Sequence, residues 1–170
     1  MIGRFLVVAV FILLLSCKKD SSEKDDINYN IRLDKELVQQ LNTDAYDTLI
    51  IESGSYILDA YIWRDFQPIS PPNGKPMFSI NWLINIDSAK IPDNIDLIKQ
   101  YVINGDSIWT ASYENDLRPH QPLYKIEKYS NGGPKWGPKI YVDVVTQIYD
   151  SQTDKVYFIK CKNKFVGRTD

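Results

Sequence analysis

The stretch Phe78-Ser79-Ile80-Asn81-Trp82-Leu83-Ile84-Asn85-Ile86-Asp87 decides the fold class, because apolar and polar residues alternate along it. A period of two places successive side chains on opposite sides of a β-strand. The pattern therefore predicts a strand with one buried apolar face, made of Phe78, Ile80, Trp82, Ile84 and Ile86. The opposite face would carry the polar residues Ser79, Asn81, Asn85 and Asp87, with Leu83 as the exception.

The same alternation recurs on both sides of this stretch. Earlier in the chain it involves Tyr56, Leu58, Ala60 and Ile62, although Ile57, Tyr61 and Trp63 make the opposite face apolar too. Later in the chain it involves Ile140, Val142, Val144 and Ile148. The spacing between these segments gives no alternation of strands with long helices, so a parallel α/β fold is disfavoured.

The segments between the strands carry turn signals. Asn104-Gly105 predicts a tight hairpin, and residues 150–154 predict a second hairpin with a longer loop. Pro68, Pro71, Pro72 and Pro76 exclude a central strand between Phe66 and Pro76. Residues 34–41 form either one short helix, capped by Asp34, or a first strand.

We therefore predict an all-β domain over residues 31–170, folded as an antiparallel immunoglobulin-like β-sandwich of about seven or eight strands. An eight-stranded barrel is the alternative. Of the tryptophans, Trp82 is expected in the core because of its place on the apolar face, and Trp109 in the core or on the sheet surface.

The first residues predict export. A basic residue, Arg4, precedes an apolar run from Phe5 to Leu15, which is shorter than the about 20 residues of a membrane-spanning helix. The run ends in Leu14-Leu15-Ser16-Cys17, which resembles the lipobox of bacterial lipoproteins. That resemblance implies a signal peptide over residues 1–16 and a lipid on Cys17 that anchors the chain to a membrane. An ordinary signal peptide with a chance cysteine is the alternative.

A flexible tether is predicted over residues 17–30, because residues 18–26 are all charged or serine and cannot bury apolar area. Such a stretch resembles the start of many Bacteroidota lipoproteins, which implies an outer-membrane location and display on the cell surface; a plain linker is the alternative. The phrases Trp63-Arg64-Asp65-Phe66-Gln67-Pro68, Gly133-Pro134-Lys135-Trp136-Gly137-Pro138 and Tyr141-Val142-Asp143-Val144-Val145 resemble uncharacterised Bacteroidota lipoproteins, and this likeness implies no activity.

Composition narrows the chemistry. With 20 basic and 22 acidic residues the chain has no electrostatic reason to bind nucleic acid. If Cys17 is lipidated, Cys161 has no cysteine partner in the chain. Cys161 is expected to be a half-buried strand residue. One histidine, His120, lies between two prolines, and zinc sites need three or four Cys or His ligands. We therefore predict no metal, no cofactor and no enzymatic activity, and we interpret residues 150–154 as a turn rather than a calcium loop.

The leading hypothesis is a non-enzymatic module that binds a partner protein or a glycan in the cell envelope through loops at one end. Trp63, Arg64 and Trp136 are the predicted contact residues, since loops on a rigid β scaffold are common binding sites. A structural subunit of an envelope assembly is the second hypothesis. A small hydrolase using His120 or a pair of carboxylates is the third.

Overall fold

The computed structural model describes residues 30–114 and 122–170. In chain order the elements are β1 (Ile31–Leu33), α1 (Lys35–Asp44), β2 (Leu49–Ile51), β3 (Gly54–Asp65), β4 (Met77–Asn85), β5 (Ile95–Asn104), β6 (Ser107–Ser112), β7 (Lys125–Gly133), β8 (Tyr141–Asp150) and β9 (Lys155–Thr169). The prediction of an all-β chain is confirmed, because these residues form nine strands and one short helix.

The strands form one continuous, curled sheet in the order β1-β6-β5-β8-β9-β3-β4-β7, with β2 paired to the start of β3. The long strand β9 joins its two halves, since residues 155–165 run antiparallel to β8 and residues 166–169 run parallel to β3. Beyond β6, the backbone N–H of Glu114 donates to the carbonyl of Tyr129 at 2.8 Å. This bond brings the chain beside β7. The finer immunoglobulin-like arrangement stays a prediction.

A single apolar core fills the inside of the curl. It combines residues of β3 and β4 with residues of β5, β8 and β9, and its fully buried members include Ile62, Leu83, Val102, Val144, Ile148 and Ile159. The prediction that Tyr56, Leu58, Ala60 and Ile62 share a buried face is confirmed. Trp109 is also buried in this core, with 2% of its surface exposed.

The predicted orientation of β4 is wrong, although the strand itself is present. Its buried residues are Met77, Ser79, Asn81, Leu83 and Asn85, and its half-buried outer face carries Phe78, Ile80, Trp82 and Ile84. The reason is the neighbouring strand: Ile62 pairs with Ser79 and Leu58 pairs with Leu83. Residues paired across a sheet share a face. Burial of the β3 residues therefore turns Ser79 inward and Trp82 outward.

The helix α1 covers the outer face of the sheet on the β5 side. Asp34 caps it, because the backbone N–H of Leu37 donates to the Asp34 carboxylate at 2.8 Å. Leu41 and Ala45 pack against Ile108 and Val145 in a second, smaller apolar cluster. The helix is thus confirmed over the alternative of a first strand. In the part of the chain that the structure describes, no helix covers the outer face of β3, β4 and β7.

Both predicted hairpins are present. Gly105 has φ 60° in the turn between β5 and β6, a left-handed conformation that glycine adopts without strain. In the turn between β8 and β9, the Asp150 carboxylate accepts hydrogen bonds from Thr153 and from Asn94, both at 2.6 Å. These bonds lower the pKa of Asp150, so this carboxylate organises the turn.

Candidate functional site

Four aromatic rings form a row on the outer face of β3, β4 and β7, which no helix of the described residues covers. We call Tyr61, Trp63, Phe78 and Tyr129 the aromatic row. The ring centroids of Tyr61 and Trp63 are 5.0 Å apart, and those of Trp63 and Phe78 are 4.4 Å apart. Phe78 stacks on Tyr129 at 5.5 Å. The outer apolar face of β3, which the sequence pattern shows, supplies half of this row.

A cleft of about 500 Å³ opens beside the two central rings of the row. The rings of Trp63 and Phe78 line it, together with Asp65, Lys75 and the backbone around Gly132. We call this the aromatic cleft. Clefts of this size with mostly apolar walls and a few polar groups are typical binding sites. Trp63, one of the predicted contact residues, therefore lies in the wall of a cleft.

Polar groups at the rim of the aromatic cleft form two hydrogen-bonded pairs. The Lys75 ammonium donates to the Asp65 carboxylate at 2.7 Å, and the Asp65 carboxylate also accepts from the backbone N–H of Gln67 at 2.9 Å. On the opposite side, the Asn131 amide donates to the Glu114 carboxylate at 2.7 Å. The hydrogen bond from Lys75, followed by that from Gln67, lowers the pKa of Asp65 from 3.8 to about 2.

We expect this pairing to make stability depend on pH in the acid range. Because the pKa of Asp65 is lower in the folded chain than in the unfolded chain, ionised Asp65 stabilises the fold at pH values above about 4. The contribution is lost as pH falls from about 4 towards the folded-state pKa of about 2. Urea unfolding of wild type and Asp65→Asn between pH 6 and pH 2 should show a difference that shrinks with decreasing pH.

Lys75→Met is the matched variant for this prediction, since it removes the other half of the same pair. In the Lys75→Met background, Asp65→Asn should change the free energy of unfolding by an amount that depends much less on pH. A difference of the same size at pH 6 and pH 2 would show that the Asp65–Lys75 pair does not stabilise the fold.

Arg64, the second predicted contact residue, points into the protein and is 1% exposed. Its guanidinium donates to the carbonyl of Lys75 at 3.1 Å, to those of Lys135 and Gly137 at 3.0 and 2.8 Å, and to that of Asn73. It also lies 5.0 Å from the centre of the Phe66 ring. Arg64 thus ties the loop that carries Lys75 to the loop that carries Trp136.

Trp136, the third predicted contact residue, is half-buried and packs against the main core. The structure therefore brings Trp63 to the aromatic cleft, places Arg64 beneath its rim and folds Trp136 back on the core. Sequence reasoning missed Phe78, Tyr129 and Asn131. Phe78 was assigned to the buried side of β4, and the other two carry no motif.

Trp82 also lies on this outer face, away from the aromatic cleft. Its indole N–H donates to the Glu127 carboxylate at 2.5 Å, and the Lys125 ammonium sits 4.4 Å from the ring centre. Such contacts satisfy a half-exposed indole on a sheet surface. The expectation that Trp82 is a core residue is therefore wrong.

The remaining candidate residues give little support for catalysis or metal binding. Cys161 is half-buried in β9, as expected, and burial raises the pKa of its thiol to about 12, so the nucleophilic thiolate is scarce at neutral pH. Cys17 and His120 lie outside the described residues. Among residues 30–114 and 122–170, no cluster of three Cys, His, Asp or Glu side chains is placed to hold a metal ion.

The only helix in those ranges is too short and too polar to cross a membrane.

Comparison with known proteins gives no match to this chain. No family model matches the sequence, and no curated protein or solved structure matches the chain.

Proposed function

We propose that the chain is a lipid-anchored, non-enzymatic binding module, and that the aromatic row and the aromatic cleft hold a partner protein of the cell envelope. The observation that carries this proposal is the row of packed rings beside a cleft on a sheet face that α1 leaves open. Aromatic residues are enriched at the centres of protein interfaces, where a few of them supply most of the binding energy.

The chemistry of the rim favours a protein over a glycan. Sugar hydroxyl groups need hydrogen-bond donors and acceptors from the site. The carboxylate of Asp65 already accepts from Lys75, and the amide nitrogen of Asn131 already donates to Glu114. An apolar or aromatic side chain of a partner protein could enter the aromatic cleft without breaking these bonds. Its burial against Trp63 and Phe78 would contribute roughly 1.5–3 kcal/mol for a large apolar side chain.

The packed rings also suit rigid docking. Each ring of the aromatic row contacts a neighbour, so little side-chain freedom remains to be lost when a partner binds. A membrane anchor would also favour binding. A tether over residues 17–30 restricts the search for a partner to the membrane surface and raises the effective concentration of the module there. Fully extended, such a tether spans roughly 45 Å.

We expect Trp63→Ala to weaken partner binding about thirtyfold, which corresponds to about 2 kcal/mol for a hot-spot residue. The measurement is photocross-linking in native membranes, with a photoreactive residue in place of Tyr61. A discrete protein adduct should form, and its yield should fall in the Trp63→Ala background. Trp82→Ala, on the same face but outside the cleft, is the matched control and should leave the yield unchanged.

Two outcomes would count against the proposal. One is an equal adduct yield when the photoreactive residue replaces Ile50, which is exposed on β2 and lies outside the aromatic row. The other is binding of an envelope glycan, measured by calorimetry, that is abolished by Trp63→Ala. The second outcome would reassign the cleft to a sugar ligand.

The anchor has its own test. We expect wild type to partition with membranes and Cys17→Ala to be released, because stable anchoring requires acyl chains and one chain alone binds only marginally. Fractionation of cells and mass spectrometry of the mature N-terminus measure this. Membrane association of Cys17→Ala, or a mature chain without acyl mass, would contradict the lipid anchor.

A further inference from the structure

Three polar side chains meet inside the curled sheet, between β4 and β5. Ser79, Asn81 and Gln100 are fully buried, with no exposed surface. The Ser79 hydroxyl donates to Gln100 Oε1 at 2.7 Å, and Asn81 Nδ2 donates to the same oxygen at 2.7 Å. These bonds connect two strands that are not neighbours in the sheet, across the interior.

A second polar pair lies beside this cluster. Thr146 of β8 is paired in register with Gln100 of β5, so both side chains point inward. The hydroxyl groups of Thr146 and Tyr113 are 2.6 Å apart, and burial raises the pKa of Tyr113. The interior of the curl therefore holds a polar region within an otherwise apolar core.

The hydrogen bonds of this cluster do not balance. Gln100 Oε1 accepts two bonds, while Gln100 Nε2 donates to no described residue and Asn81 Oδ1 accepts from none. Rotating both amide groups by half a turn would exchange the roles of nitrogen and oxygen, but it would still leave one donor and one acceptor without a protein partner. The imbalance thus does not depend on how the amides are assigned.

An imbalance of this kind carries a large energetic penalty. A buried polar group without a hydrogen bond is strongly destabilising, because it has given up its bonds to bulk water and gained none in the protein. A water molecule can accept from the amide nitrogen and donate to the amide oxygen, and buried water commonly fills this role in proteins.

We propose that the interior of the curled sheet contains a binding site for one ordered water molecule, which accepts a hydrogen bond from Gln100 Nε2 and donates one to Asn81 Oδ1. The site takes only a ligand that both donates and accepts, and it completes the polar connection between β4 and β5. It is independent of the aromatic cleft, which lies on the outer face of the same strand β4.

The test uses the full chain in detergent micelles and water itself as the probe. In nitrogen-edited water NOE spectra, the side-chain amide protons of Gln100 should show a cross peak to long-lived water. In the Asn81→Leu variant two methyl groups replace the amide oxygen and nitrogen at nearly unchanged volume, so the water loses its acceptor and the Gln100 cross peak should be lost. Asn42, whose side-chain amide donates to the carbonyl of Val38, is the control amide and should be unaffected by this substitution.

Absence of the water cross peak in wild type, with the Gln100 amide protons resolved, would overturn the proposal. So would a cross peak that persists unchanged in Asn81→Leu. If that variant does not fold, a high-resolution crystal structure of the wild type decides the matter. Density within hydrogen-bond distance of both amides supports the site, and its absence there refutes it.

Discussion

Arg64→Met is expected to lower the free energy of unfolding by about 3–5 kcal/mol, because it removes a buried guanidinium and leaves the several carbonyl groups that it bonds without a donor. The guanidinium contacts carbonyl groups in two loops that are about sixty residues apart in the chain, at Asn73 and Lys75 and at Lys135 and Gly137. Methionine fills a similar volume but donates nothing. Both loops would then lose their shared anchor.

Urea denaturation measures this effect, with the midpoint and slope compared between variants. Arg168→Met is the matched control, since Arg168 lies 4.0 Å from the centre of the same Phe66 ring but is exposed. It should change stability by no more than about 0.5 kcal/mol. Arg64→Lys should fall between the two, because an ammonium cannot reproduce the planar fork of donors. A loss below about 1 kcal/mol for Arg64→Met would contradict the role of Arg64 as the link between these loops.

Trp109→Ala is expected to be similarly severe, with a loss of about 3–5 kcal/mol, because a buried indole leaves a large cavity when it is truncated. Trp109 lies on the inner face of β6, and a Cβ atom placed on Gly133 of β7 would approach its ring to 2.7 Å. The absence of a side chain at Gly133 is thus what gives the indole its space. The two residues pack β6 against β7 where the curl closes.

Thermal and urea unfolding of Trp109→Ala and three further variants test this packing. Gly133→Val alone should destabilise by about 1–3 kcal/mol through overpacking. Combined with Trp109→Ala, it should restore part of the loss, since the valine then enters the space left by the indole. Trp82→Ala, which removes an indole group from the outer face, should lower the free energy of unfolding clearly less than Trp109→Ala does. Additive effects of the two substitutions would contradict direct packing.

The strands were predictable from the sequence because a period of two depends only on local residues. The direction in which β4 faces was not, because it follows from pairing with β3. The rule that larger apolar side chains go inside would bury Trp82 and expose Asn81. The tertiary context reverses it, since Gln100 on β5 supplies a hydrogen-bond partner for Asn81 and Ser79 inside the curl. Leu83, the single exception in the alternation, was the local sign of this reversal.

The candidate site was predictable only in part, for the same reason. Trp63 could be recognised as a tryptophan at the end of a strand before a proline-rich loop, and it does line the aromatic cleft. Phe78 and Tyr129 join it only through strand pairing between β3, β4 and β7, which no local pattern reveals. Arg64 stands next to Trp63 in the chain, but alternation along β3 sends its side chain to the opposite face.

Because β9 pairs with both β8 and β3, it constrains the order in which this chain can fold. Residues 166–169 provide the parallel partner for residues 62–65, about one hundred positions earlier in the chain. Contacts over such a separation require a large loop to close and form slowly. Before β9 has paired, β3 therefore keeps an open edge, and Trp63 and Arg64 reach their final setting only after Val166 to Thr169 have joined them. Assembly of the aromatic cleft is thus coupled to the pairing of β9 with β3.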